Sequence, residues 1–198
     1  FPSRLRLSAL HSLRVLCASA IKFPSSLVMP GFAVKAERDQ QVKDRVSTAF
    51  GEKITAIEQE RDLVCISVKK EALHELLKSL RDEHGFHFLT TCCGMHFPGE
   101  AQEFGLVYHL HNMRAGHRIR VKCRTTANDL EFRTATDLWP TANWMERETW
   151  DFFGIKFKGH PDLRRILNME DFPAFPLRKD YPLEDPTRKD KDDRFFGR

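Results

Sequence analysis

Apolar residues recur along this chain with two different periods, and the switches between them mark out its elements. Val42, Val46, Ala49 and Phe50 fall at helical spacing and stop before Gly51, which predicts a helix over residues 34–50. Residues 53–57 and 63–68 read as strands, the second alternating Val64, Ile66 and Val68. The charged turn Glu60-Arg61-Asp62 joins them, so they predict a β-hairpin. Residues 71–83 are the clearest amphipathic helix, with Leu73, Leu76, Leu77 and Leu80 on one side, charge opposite and Gly85 beyond the end. Three further strand-like segments follow at 86–97, 104–111 and 118–124. The last sets Ile119, Val121 and Cys123 against Arg118, Arg120, Lys122 and Arg124, and residues 112–116 read as a hairpin loop before it.

A final helical pattern opens at Pro140, a residue favoured in the first helical turn, and closes at Gly154. On it Met145, Thr149, Phe152 and Phe153 predict an inward face. Arg147 and Asp151 are four apart and able to pair, while Glu148 and Asp151 face outward together. Beyond Gly154, prolines recur at 161, 173, 176, 182 and 186 among Arg and Asp. Proline removes backbone donors and stops helices, so the expectation is an extended arm with one short helix near residues 163–167. Its aromatics Phe172, Phe175, Tyr181, Phe195 and Phe196 would be exposed in isolation, and a partner surface is their natural burial site. The expected fold class is α+β: a mainly antiparallel sheet with helices packed on one face, followed by an extended proline-rich C-terminal arm. The expected division is a basic leader over 1–33, an α+β domain over 34–158 and a partner-binding arm over 159–198.

Composition adds bounds to this picture. A chain of 198 residues, 41% hydrophobic and 30% charged, suits one compact domain and excludes collagen, coiled-coil arrays and wholesale disorder. Its net charge of +4 is concentrated at one end. Arg4, Arg6, Arg14, Lys22 and Lys35 precede the first acid, Glu37, and the rest of the chain is close to neutral. The acid-free stretch reads either as an organelle transit peptide or as sequence upstream of a true start at Met29. No run approaches the roughly 20 apolar residues of a membrane span. Five cysteines without a CxxC spacing suggest neither a disulfide framework nor a zinc ribbon, and a reducing compartment is the simplest reading.

Several chemistries can be tested directly. No two glycines are separated by a single residue, which excludes the GxGxxG dinucleotide turn; after Gly94 and Gly99, Glu100-Ala101 stands where a phosphate loop needs Lys-Ser/Thr. His84, His87, Cys92, Cys93 and His96 are close in sequence, yet adjacent Cys92 and Cys93 on a strand would point to opposite faces and could not converge on one metal. The row Arg118, Arg120, Lys122, Arg124 suits a solvated outer face or a protein contact better than nucleic acid, given the neutral body. Glu148 and Asp151 fit either acid–base groups or a charged interface, and the Arg- and aromatic-rich sequence after them favours interface.

The densest run carries a resemblance. Glu146, Arg147, Glu148, Asp151, Phe152, Phe153, His160, Arg164, Ile166 and Leu167 match, at every fixed position, the signature of the 30-kDa (C) subunit of the proton-pumping NADH:quinone oxidoreductase, respiratory complex I. The family's further Pro-Leu-Arg-Lys-Asp block stands at residues 176–180, and the resemblance extends over roughly residues 34–185. It implies a subunit with no redox centre and no catalytic residue of its own, the NADH, FMN, iron–sulfur clusters and quinone belonging to other subunits. It implies packing against the quinone-site (49-kDa, D) subunit near the iron–sulfur subunits, no nucleic acid, and membrane association only through the complex. The interface residues it implies are Glu146, Arg147, Glu148, Asp151, His160, Asp162, Arg164, Arg165, Arg178, Lys179, Asp180 and Tyr181. The tail over 185–198 looks like bacterial stand-alone forms, which favours Met29 as the start and the cytoplasmic face of a bacterial inner membrane; the alternative is the mitochondrial matrix side. Within the resemblance the rival is the homologous subunit of a membrane-bound hydrogenase-type complex. From another class, the rival is a zinc- or cysteine-dependent enzyme using residues 84–96.

Overall fold

The computed structural model describes residues 30–182. The basic leader, the Met29 start and the 183–198 tail with Phe195 and Phe196 lie outside the described residues. Helix α1 (Pro30–Phe50) leads through a short 3-10 turn into β1 (Ile54–Glu60) and β2 (Leu63–Val68). Helix α2 (Leu73–Asp82) follows, then β3 (Phe88–His96), β4 (Phe104–Asn112) and β5 (His117–Thr125). Two three-residue strands, β6 (Glu131–Arg133) and β7 (Lys156–Lys158), flank helix α3 (Ala142–Phe153).

Five strands form one sheet in the order β1-β2-β5-β4-β3. Every neighbouring pair is antiparallel except β2 and β5, which run parallel with Ile66 opposite Val121. The sheet is therefore mixed and mostly antiparallel. The single parallel pair arises because α2, β3 and β4 intervene between its members. The β1–β2 hairpin turns on two residues, Glu60 facing Leu63, and Arg61 takes the left-handed backbone (φ 55°) that such a tight turn requires.

One face of the sheet makes the core. Val64, Ile66, Leu106, Tyr108, Leu110, Ile119 and Val121 are all buried there against Leu73, Leu76, Leu77 and Leu80 of α2 and Val42, Val46 and Phe50 of α1. At the start of β5, His117 lies within 2.6 Å of Asp39 on α1, both buried, so a polar contact between residues 78 apart ties the helix to the sheet. Helix α3 joins the same face at β3, where Gly94 sits under the Phe153 ring. The opposite face bears no helix among the described residues.

The structure departs from the sequence-based expectations at four points. The strand expected to end at residue 57 continues to Glu60, and the helix expected from Glu71 begins as a 3-10 turn over Lys70–Ala72. The parallel pair of β6 and β7 is absent from the sequence reading, because three-residue strands with one buried aromatic each, Phe132 and Phe157, are too short to show a period. Residues 163–167 form no helix. The N–H groups of Ile166, Leu167 and Asn168 donate instead to the Asp151 carboxylate, which leaves none of the three free for the i−4 carbonyl a helix would need.

Candidate partner interface

Helix α3 and residues 159–182 together hold all twelve of the interface residues singled out from sequence. The helix ends where Gly154 adopts φ 75° and returns its N–H to the Trp150 carbonyl at 2.8 Å. That leaves the last carbonyls of α3 without helical partners. The next segment supplies them: Arg165 Nη1 donates to Asp151 O (3.1 Å), Leu177 N–H to Phe152 O (3.3 Å) and Arg178 Nε to Phe153 O (2.7 Å). Two guanidinium groups thus sit at the negative end of the helix dipole.

Asp151 is the centre of this arrangement. Its side chain is fully buried and accepts from Arg165 Nη1 (2.6 Å), Asn168 Nδ2 (3.0 Å) and the three consecutive backbone N–H groups of residues 166–168. Burial pushes its carboxyl up, but the donors from Asn168, Leu167 and Arg165 outweigh that and hold it well below the usual carboxylate range. The expected Arg147–Asp151 pair does not form. Arg147 donates to the carbonyls of Arg164 and Arg165, both at 3.1 Å, and lies over the Trp144 ring at 5.1 Å. Nor does Asp151 face outward beside Glu148: residues 165–168 fold over it, while Glu148 stays exposed.

Glu146 is fully buried on the other side of α3, where its carboxyl accepts from Thr134 Oγ1 (2.6 Å) and the Ala135 N–H (2.7 Å). Burial raises it to about 7 against those two donors, with Asp137 adding a little in the same direction. A carboxyl raised in the folded state above its unfolded value of 4.5 lends stability below pH 4.5 that is lost as pH rises towards 7. Glu146→Gln cannot titrate, so its stability relative to wild type should climb by about 1–3 kcal/mol between pH 4.5 and 7 and then level off. Urea denaturation across that range measures it; a constant difference refutes it.

The remaining residues occupy the surface of the same unit. His160 donates from Nε2 to Asn143 O (3.2 Å) and accepts the Asp162 N–H on Nδ1 (3.1 Å), so the ring fixes the turn after β7. Arg164 and Asp162 pair in the open at 2.9 Å. The Arg178 guanidinium is stacked between Phe104 and Phe175, 4.9 and 4.5 Å from their centroids. Lys179 donates its N–H to His96 Nδ1 (3.0 Å), and exposed Asp180 lies 3.8 Å from the same nitrogen. Tyr181 leans on Phe172 at 6.4 Å. Residues 84–96 do not converge. Cys92 points into the core opposite Tyr108, Cys93 points to the other face opposite Val107, and burial pushes both thiols up. No group of three or more potential metal ligands comes together among the described residues.

Sequence reasoning missed the large apolar side chains that the unit leaves outside: Trp144 (60% exposed), Leu167 (66%) and Met169 (70%). The signal for them in the sequence is that Leu167 is itself a signature residue and Trp144 and Met169 lie within two residues of the signature's ends. Ionisable groups engaged by the chain itself, with large apolar side chains left outside, are features of a surface that binds another protein.

Comparison with known proteins makes this particular. The family model described as "Respiratory-chain NADH dehydrogenase, 30 Kd subunit" matches residues 66–187. The NADH-quinone oxidoreductase C subunit of Citrifermentans bemidjiense is 46% identical over 129 residues, spanning 65% of this chain and 80% of that protein. The C subunit of Geotalea uraniireducens is 38% identical over 140 residues, spanning 71% and 85%. Among solved structures, a trypsin-resistant fragment of Nqo5 superposes with a TM-score of 0.57 at 29% identity, covering 64% of this chain and 99% of the fragment. A chain of an archaeal membrane-bound sulfane sulfur reductase shares the fold, with a TM-score of 0.62 at 23% identity over 73% of this chain and 85% of that one. The chain belongs to the family of NADH-quinone oxidoreductase C subunits, the 30-kDa subunit of complex I, and is a subunit of that respiratory complex. No described helix is long and apolar enough to cross a membrane.

Proposed function

We propose that this subunit is a non-redox scaffold of the peripheral arm of complex I, which packs through α3 and residues 159–182 against the quinone-site (D) subunit near the iron–sulfur subunits. It sits on the side of the membrane where NADH is oxidised, the cytoplasmic face in a bacterium. NADH, FMN, iron–sulfur clusters and quinone are held by its neighbours. The supporting observation is the division of labour around α3: Glu146, Arg147, Asp151, Arg165 and Arg178 use their polar atoms within the chain, while Trp144, Leu167 and Met169 project from that braced surface. Rigid aromatic and aliphatic side chains on a fixed frame are what binding hot spots are made of. Exposed Glu148, Asp162, Arg164, Lys179 and Asp180 form the polar rim. The physical role is bracing: electron transfer between fixed centres and quinone tolerates little displacement, and a rigid neighbour limits it.

The test is the pair Trp144→Ala and Leu167→Asp. Neither side chain belongs to the core, so the isolated chain should keep its Tm within about 2 °C, each change amounting to less than about 0.5 kcal/mol. Assembled complex and quinone reductase activity should fall together by more than tenfold, read by native electrophoresis and NADH:quinone turnover. Normal assembly with lost turnover would instead assign these residues a direct chemical role and overturn the scaffold reading.

A further inference from the structure

The sheet face that carries no helix holds a feature unused by the α3 site. Because Ile119, Val121 and Cys123 point into the core, Arg118, Arg120, Lys122 and Arg124 all emerge on the outer face, about 7 Å apart along β5. Two carboxylates meet these four cations. Glu60 of β1 takes Arg120 (2.6 Å) and Lys122, and Glu100 takes Arg124. Arg118 has no carboxylate partner among the described residues. His109, opposite Arg120 in the register, accepts that residue's Nε–H on its own Nε2 (3.2 Å), and burial followed by the nearby Arg120 and Lys122 lowers its pKa, which favours the neutral ring and adds no further positive charge to the row.

Two further groups lie on the same face. At one end of the row, a cleft of about 400 Å³ is lined by four cations, Lys69, Lys70, Lys122 and Arg124, and two acids, Glu71 and Asp129, of which Asp129 pairs with Lys70, so its lining is positive on balance. Across the sheet, Phe88, opposite His111, stands 46% exposed. Partly exposed ion pairs add about 0–1 kcal/mol each, and four cations in a row against two carboxylates leave like charges facing each other, so this face does little for the stability of the isolated chain. It has instead the elements of a recognition surface: arginines, a cationic cleft and an exposed aromatic.

We propose that the outer sheet face is a second interaction surface, separate from α3, that takes an acidic segment of a neighbouring protein. Carboxylates at alternate positions of an extended segment repeat at about 7 Å and meet the β5 row one for one. Arg118 supplies the unpaired charge, the Lys122–Arg124 cleft seats a terminal or protruding acid, and Phe88 packs at the margin. Four cations half neutralised by Glu60 and Glu100 match a short acidic segment; a nucleic-acid backbone would need a broader basic surface on a more basic chain.

The experiment uses the assembled complex. The photoreactive amino acid p-benzoylphenylalanine replaces Phe88 in one preparation and Trp144 in another, and products are mapped by mass spectrometry after irradiation. The expected result at Phe88 is a covalent product with another subunit through an acid-rich peptide, reduced at least fivefold by Arg118→Glu, while the Trp144 product is unchanged. Absence of a Phe88 product from complex in which Trp144 gives one, a peptide without acids, insensitivity to Arg118→Glu, or a nuclease-sensitive product would each overturn the proposal. A Phe88 product without a Trp144 product would instead count against the α3 interface alone.

Discussion

Asp151→Ala should destabilise this protein by about 3–5 kcal/mol, the range expected when one partner of a buried, hydrogen-bonded ion pair is removed. The substitution strips the acceptor from the nearly buried Arg165 guanidinium and from the N–H groups of residues 166–168 at once. Asp151→Asn should fall between wild type and Ala, since it keeps one acceptor oxygen but turns an amide N–H₂ towards donors. Because the carboxyl is held below its unfolded value, its contribution is complete above about pH 4 and fades as pH falls through and below it. The Ala variant's deficit should therefore shrink towards pH 3. Urea titrations at pH 7 and pH 3, with protease digestion reporting on residues 163–182, measure both effects. Glu148→Ala, three residues away and exposed, should change stability by less than about 0.5 kcal/mol. If the two substitutions behaved alike, the account of Asp151 as the centre of the fold-back would be wrong.

Gly94→Val should be the most damaging change on the sheet side of α3, at about 1–3 kcal/mol or more. A Cβ at Gly94 would stand 2.6 Å from Phe153 Cδ2 and 2.8 Å from Cγ, inside any tolerated contact. The ring has little room to retreat, because the Phe153 carbonyl is held by Arg178 and the neighbouring Gly154 backbone is close to Arg178 and Phe175. Removing the ring should relieve the clash. In a double-mutant cycle, Gly94→Val with Phe153→Ala should be less destabilised than the sum of the two alone, with a coupling of about 1–2 kcal/mol. Simple additivity would show that α3 shifts freely on the sheet.

The pattern of residues carries most of the architecture but not the direction of its charges. The strand alternation in 63–68 and 118–124 and the leucine face of α2 are legible because half-buried elements must repeat with their own period. Asp151 reads as an outward acid for the same reason: helix periodicity says which residues share a side, not whether a later segment folds over that side. The contact of Asp39 with His117 and the pairing of β6 with β7 join positions that no local period relates.

Residue order alone therefore determines the α+β class, the places where elements start and stop, the absence of a dinucleotide turn, and a family signature over residues 146–167. Those are local properties, set by spacing along the chain. Which charges are sealed inside and which apolar side chains are left exposed is decided only by the tertiary structure, in which residues 165–178 close the end of α3. That depends on groups distant in sequence meeting in space, where a buried carboxylate takes whichever donors arrive.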